Sequence, residues 1–141
     1  MKRIFSLVLT FAMVLACSCS MALAINVDTK ASLTLSDYEI VLKAGSRDGE
    51  IRINYDVTSS KAADSVGVSS IDIYKSNGSF VTTITGTTRN GLIAEDTSSN
   101  MGVHSYIGTS GTSYYAEVTV FAEIGSDYDS RTVTTATVKA P

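Results

Sequence analysis

The chain has 141 residues, of which 11 are Lys or Arg and 14 are Asp or Glu, and its formal net charge is −3. The basic residues are scattered along the sequence, whereas nucleic-acid binding needs clustered Lys and Arg, so we expect no nucleic-acid partner. Both cysteines, Cys17 and Cys19, lie near the N-terminus. A product without them has no disulfide, and its stability must come from a hydrophobic core, which one domain of this length can bury.

The first residues predict a signal peptide. A basic pair is followed by an apolar run over residues 4–16, which is shorter than the roughly 20 apolar residues of a membrane-spanning helix. Residues 22–24 (ALA) have the small-x-small pattern that signal peptidase recognises, because only small side chains fit its two pockets. We therefore predict a signal-peptide helix within residues 1–24, cleavage after Ala24, a flexible segment over residues 25–30, and a secreted product.

A second interpretation of the same region stays open. Residues 14–17 (VLAC) resemble a lipobox, in which the cysteine is lipidated and becomes the new N-terminus. The product would then be a cell-surface lipoprotein anchored through Cys17. No second apolar segment follows, so we expect no transmembrane segment in the mature chain. The Cys17–Cys19 pair has no further cysteine and one distant histidine, so we do not expect it to bind a metal.

From residue 31 onward, apolar and polar residues alternate with a period of two, which predicts strands with one buried face. The parity of this alternation slips between Leu35 and Tyr38, which predicts a bulge or a first strand that switches sheets. Asp48-Gly49 predicts a turn, and the apolar residues of 51–57 predict the next strand. Asn77-Gly78, between two apolar runs, predicts a hairpin with a type I′ turn.

The second half of the sequence follows the same pattern. Another Asn-Gly pair, at 90–91, precedes a short apolar patch. Tyr114, Ala116, Val118, Val120 and Ala122 share one face of a predicted strand. The remaining predicted elements are a loop over 95–100, a strand over 101–108, turns over 109–113 and 125–130, and a last strand over 131–138.

These elements predict the fold class. The sequence after the leader shows no helical period, and it contains seven or eight short strands separated by turns. A single sheet cannot bury so many apolar faces, so we predict an all-β antiparallel sandwich formed by one domain over residues 31–139. We expect a signal-peptide helix to precede this sandwich.

Two resemblances support this prediction. Residues 114–138 resemble the last two strands of a fibronectin type III or immunoglobulin-like (Ig-like) domain, in which a Tyr opens a strand of alternating apolar residues that ends in Ala, and a polar hairpin and a Thr-rich strand follow. The chain is also similar to small secreted proteins of gut-type Gram-positive bacteria. The shared segments are VGVSSIDIY (66–74), YIGTSGTSYYAEVTVFA (106–122) and DSRTVTTATV (129–138). This resemblance implies secretion and a sandwich, and it brings no activity or site residue.

Few residues are candidates for chemistry. His104 is the only histidine, and no Gly-x-Ser-x-Gly elbow accompanies it, so we predict that the protein is not an enzyme. Glu123, Asp127 and Asp129 are weak calcium candidates, because calcium prefers carboxylate and carbonyl oxygens. Asp and Ser are equally common in plain turns, so we predict no cofactor.

Tyr115 and Phe121 point away from the predicted core face, with Glu117 and Thr119 between them. An exposed aromatic stripe of this kind could stack on sugars or anchor a protein partner, although Tyr also simply favours sheets. We therefore predict a secreted or cell-surface module that binds an extracellular protein or glycan without catalysis. The alternatives are a carbohydrate-binding accessory module and a self-associating envelope protein that pairs through a Thr-rich edge strand, residues 131–138.

Overall fold

Strands make up most of residues 34–141, which are the residues that the computed structural model describes. The predicted leader helix, the cleavage site after Ala24, the lipidation site at Cys17 and the segment 25–30 lie outside the described residues. The predicted all-β class is confirmed, because the described residues contain seven strands and no helix. The strands are β1 (Leu35–Ala44), β2 (Glu50–Lys75), β3 (Phe80–Thr85), β4 (Ile93–Ile107), β5 (Ser113–Ile124), β6 (Asp127–Thr134) and β7 (Val138–Lys139).

The strands form one continuous antiparallel sheet that folds into two layers at β2. β2 is 26 residues long. Its first part, up to Ser59, pairs with β1 on one side and with the second part of β4 on the other. Its last part, from Ser65, pairs with β5 and with β3, and β5 in turn pairs with β6 and β7. We call these two groups of strands the first layer and the second layer.

β4 crosses between the layers together with β2. Residues 93–97 pair with the last part of β2, and residues 99–107 pair with its first part. Asp96 lies near this crossing and has a positive φ of 54°. Asp tolerates the left-handed conformation because its short side chain can hydrogen-bond locally. The loop predicted over residues 95–100 is therefore wrong: these polar residues continue the strand through a bend.

The buried residues of both layers form one hydrophobic core. Ile51 and Ile53 in the first layer and Ile71 and Ile73 in the second layer are fully buried, although all four lie on the same strand. The predicted core face of β5 is confirmed, since its five alternating residues are all at most 2% exposed; they are Tyr114, Ala116, Val118, Val120 and Ala122.

The turns in the structure lie where the sequence predicts them, but several differ from the prediction in length. The parity slip in β1 is confirmed as a register shift between Leu35 and Asp37. The predicted hairpin is found, but its turn is not of type I′, because Gly78 has a positive φ of 84° and Asn77 does not, and four residues rather than two separate β2 from β3. The predicted turn over 125–130 is too long, because β6 already begins at Asp127. The predicted last strand is divided into β6 and β7.

Glu50 is a buried carboxylate that holds the turn between β1 and β2. Its Oε2 accepts hydrogen bonds from the backbone N–H groups of Ser46 at 3.0 Å and Arg47 at 3.2 Å, and its Oε1 accepts one from Arg47 Nη2 at 3.1 Å. The Arg47 side chain, followed by that of Ser105, holds the pKa of Glu50 at about 2.

This lowered pKa predicts a pH dependence of stability. An unfolded Glu has a pKa of about 4.3, so the stabilisation from Glu50 is fully present above that pH. It is lost as the pH falls through the folded pKa of about 2. We expect Glu50→Gln to flatten the fall in the free energy of unfolding between about pH 5 and pH 2, measured by urea denaturation. Glu95→Gln, at an exposed carboxylate, is the control, and equal slopes for Glu50→Gln and wild type would refute the assignment.

Candidate binding surface

Three aromatic rings lie together on the outer face of the second layer. Tyr74 lies near the end of β2, Phe80 begins β3, and the hairpin between the two strands pairs them with each other. Tyr115 on β5 pairs with Tyr74 from the other side. The Tyr74 and Tyr115 rings are stacked with centroids 5.1 Å apart, and the Tyr74 and Phe80 rings meet edge to face at 5.6 Å. We call these three residues the aromatic cluster.

The position of the aromatic cluster follows from strand alternation. Ile71 and Ile73 point into the core, so Asp72 and Tyr74 point outward. On β5 the buried Ala116 and Val118 place Tyr115 and Glu117 outward in the same way. Phe80 is 59% exposed, whereas Tyr74 and Tyr115 are partly buried against their neighbours. Part of the apolar surface of the cluster therefore remains open to solvent.

Two carboxylates lie beside the rings. Asp72 and Glu117 pair directly across β2 and β5, one register position from Tyr74 and Tyr115. Like charges in directly opposite positions are destabilising in a sheet. The pKa of the Tyr74 phenol is raised, first by burial and then by the negative charges of Glu117 and Asp72. The Tyr74 hydroxyl thus stays protonated near neutral pH and remains a hydrogen-bond donor.

A second aromatic pair lies at the other end of the same face. Phe121 and Tyr128 stack with ring centroids 5.6 Å apart. Phe121 is only 5% exposed, and Tyr128 is 57% exposed. Phe121 lies six positions after Tyr115 on β5, a distance of about 20 Å along an extended strand. The two aromatic groups are therefore separate features of the surface.

The structure divides the aromatic stripe that the sequence indicates. Tyr115 is brought together with Tyr74 and Phe80, whereas Phe121 is buried and Tyr128 provides the exposed ring beside it. Tyr74 and Phe80 are missing from the sequence-based candidates, although a signal for them exists. They lie on either side of the predicted Asn77-Gly78 turn, and a hairpin brings such positions into register.

Two of the three calcium candidates have a local partner, and these partners differ. Glu123 Oε2 accepts a hydrogen bond from Ser65 Oγ at 3.3 Å. Asp129 forms an ion pair with Arg131, and Asp127 is exposed at the start of β6. Within residues 34–141, no three His, Cys, Asp or Glu side chains are grouped so that they could hold a metal ion.

His104 lies on β4, paired with the fully buried Ile53 of β2. Its side chain is partly buried, and burial lowers the pKa of its imidazole below the usual value. The imidazole is therefore neutral at neutral pH. His104 thus belongs to the row of β4 that faces inward.

The first layer carries a shallow concavity on its outer face. The concavity has a volume of about 180 Å³ and is lined by β1 and β2, including Glu39, Lys43, Asn54 and Asp56. Pockets that enclose small molecules usually measure about 300–1,000 Å³. The concavity therefore suits surface contact better than enclosure of a ligand.

Comparison with protein-family models, with curated proteins and with solved structures finds no match. Within residues 34–141, there is no helix with the length and apolar character that crossing a membrane requires. The function is therefore inferred from the contacts, exposure and charges of the described residues.

Proposed function

We propose that the chain is a secreted or cell-surface binding module without catalytic activity. We propose that it contacts its ligand through the outer face of the second layer, centred on the aromatic cluster Tyr74, Phe80 and Tyr115. The observation that carries this proposal is the exposed Phe80 ring, packed edge to face against Tyr74, which in turn stacks on Tyr115. Exposed aromatic groups that are fixed in place lose little conformational entropy on binding and supply large contact areas.

The pairing order supports an Ig-like type of sandwich. β1, the first part of β2 and the second part of β4 form one layer. The last part of β2 lies in the other layer with β5 and β6. Ig-like sandwiches have this distribution, and they often use one sheet face, an edge or a group of loops for recognition.

The charge of the surface indicates the chemistry of the ligand. Strand register places Asp72, Glu117 and Glu123 on the outer face of the second layer, and it places no Lys or Arg there among the paired residues of β2, β3, β5 and β6. An anionic ligand would be repelled, so a neutral or basic group fits best. Carboxylates beside aromatic rings suit two ligands: a basic side chain of a protein, through ring–cation contact, and a neutral sugar, through hydrogen bonds to hydroxyl groups.

We favour an extracellular protein ligand and keep the carbohydrate-binding accessory module as the alternative. The two tyrosine rings stack on each other, so one face of each is already covered. A sugar ring needs an open aromatic face, which Phe80 offers best, whereas a protein side chain can also contact ring edges. Neither form of binding needs a cofactor.

The proposal predicts that Phe80→Ala weakens ligand binding by at least about tenfold, because an aromatic anchor in a contact centre contributes more than its neighbours. The probes are a glycan array and a set of synthetic peptides that contain Lys and Arg. Binding to glycans alone would favour the accessory module, and binding to peptides would favour a protein ligand.

Tyr128→Ala is the matched control for this experiment. Tyr128 is as exposed as Phe80 (57% against 59%) and lies on the same outer face, but beside Phe121. Its removal should change the affinity by less than about twofold. Equal affinities for wild type and Phe80→Ala, or a larger loss for Tyr128→Ala, would contradict the proposed position of the binding surface.

The localisation of the protein is also part of the proposal. It can be determined from the protein that is produced for the binding experiments. In a Gram-positive secretion host, we expect to find the protein in the culture medium, with the intact mass of a chain that begins at Ile25. A lipid-modified chain that begins at Cys17 in the membrane fraction would instead establish the cell-surface lipoprotein.

A further inference from the structure

The outer edge of β4 is the least protected strand edge among residues 34–141. Residues 99–107 pair with β2 on one side, and no other described strand pairs with β4. An edge strand presents unpaired backbone N–H and C=O groups, and proteins usually protect such an edge with charged residues, bulges or short length.

β4 lacks each of these protections along this segment. Residues 97–107 contain no Asp, Glu, Lys or Arg. Their pairing with the first part of β2 is regular from Thr58 to Glu50, without a register shift. The row that points outward contains three apolar side chains that are 46–67% exposed, namely Met101, Val103 and Ile107.

The other edges differ from β4. β1 carries Asp37, Glu39 and Lys43, and β6 carries Asp127 and Arg131. β3 is uncharged, but it has only six residues and a register shift in its pairing with β2. The Thr-rich edge that the sequence indicates, residues 131–138, runs from the end of β6 to the start of β7, and β6 is better protected against strand addition than β4.

We propose that β4 pairs antiparallel with β4 of a second copy of this chain, through residues 99–107. A strand that carries no charge meets no like charge when it pairs with itself, whereas the chain as a whole has a net charge of −3, so copies repel one another elsewhere. A two-fold axis makes the contact self-complementary and closes it at a dimer.

The sequence of β4 fits this arrangement in detail. A two-fold axis at Val103 places the two Val103 side chains beside each other and joins the two exposed apolar rows. His104 then lies beside Gly102 of the second copy. One added strand on each side is a small interface, so the dimer is weak and depends on concentration. This inference is independent of the ligand surface on the second layer.

Disulfide trapping tests the pairing. The full chain is exported with Cys17→Ser and Cys19→Ser, so that one added cysteine is the only thiol. Val103→Cys should form a disulfide-linked dimer under mild oxidation, because paired antiparallel residues have the Cα separation that a disulfide needs. Thr132→Cys, exposed on the competing edge β6, is the matched control and should form at least about tenfold less dimer.

Sedimentation velocity provides the second measurement and needs no cysteine. Wild type and Val103→Ile should associate as the concentration rises, whereas Val103→Lys, which places two like charges opposite each other, should stay monomeric. Circular dichroism must show that the lysine variant is folded, as its 46% exposed position allows. A wild type that stays monomeric at all concentrations, unchanged association of Val103→Lys, or equal trapping at Val103 and Thr132 would overturn the proposal.

Discussion

Gly67→Ala is expected to destabilise the domain by more than about 3 kcal/mol, a large part of the total stability of a small domain. Gly67 has a φ of 144°, in the positive region that side-chain-bearing residues rarely adopt. A Cβ atom there would lie 2.1 Å from the carbonyl oxygen of Leu92 and 2.7 Å from Asn100 Nδ2. That carbonyl accepts a hydrogen bond of 2.7 Å from Val68 N, so it can move only by breaking the contact that holds β2 to the segment before β4.

Gly78→Ala is the matched control, because it introduces a side chain at a positive φ without a steric clash of the new Cβ atom. Gly78 also has a positive φ, 84°, but no heavy atom lies within 4 Å of the position that an alanine Cβ would take there. We expect this substitution to cost about 1 kcal/mol, the strain of the left-handed conformation alone. Urea denaturation of both variants measures the difference. Equal losses of stability would contradict the close approach of β2 to Leu92.

Ile53→Ala and Ile71→Ala are each expected to cost about 2–5 kcal/mol, the range for truncating a fully buried aliphatic side chain. Both residues are 0% exposed, and they lie in different layers on the same strand. Because both belong to one core cluster, each variant should lower the single unfolding transition of the whole domain rather than unfold one layer.

Ile107→Ala is the matched control, since Ile107 is 51% exposed on β4 and should cost less than about 1 kcal/mol. The measurement is urea denaturation followed both by tyrosine fluorescence and by circular dichroism. Two separate transitions in Ile53→Ala or Ile71→Ala would show that the layers fold independently, contrary to a shared core.

The sequence contains enough information to predict the strands that have one buried face. The alternation on β5 identifies all five of its core residues, and the parity slip in β1 locates its bulge. These predictions succeed because strand geometry is local: successive side chains point to opposite faces whatever the neighbouring strands are.

The bends of β2 and β4 could not be predicted in the same way. Residues 95–100 are rich in Asp, Ser and Asn, which are typical turn residues, yet they form part of β4. Their backbone groups are satisfied by β2, a partner that is distant in sequence. Long-range pairing therefore overrides the local preference of these residues.

The aromatic cluster shows where prediction from single strands stops. Alternation places Tyr115 outward, but it does not tell which residues of the neighbouring strands lie beside it. The register of β2 with β5 brings Tyr74 to Tyr115, and the hairpin brings Phe80 to Tyr74. Phe121 instead stacks on Tyr128 of β6, a neighbour that the alternation of β5 does not indicate, since alternation alone makes Tyr115 and Phe121 equivalent.

The most direct test of the proposed binding surface is amide hydrogen exchange of the exported protein, with and without the array glycan or basic peptide that binds it most tightly. Binding through the aromatic cluster predicts added protection at the β2–β3 hairpin, residues 72–82, and at the start of β5, residues 113–119. Protection confined to β4 or to the turn between β5 and β6 would contradict the proposed surface.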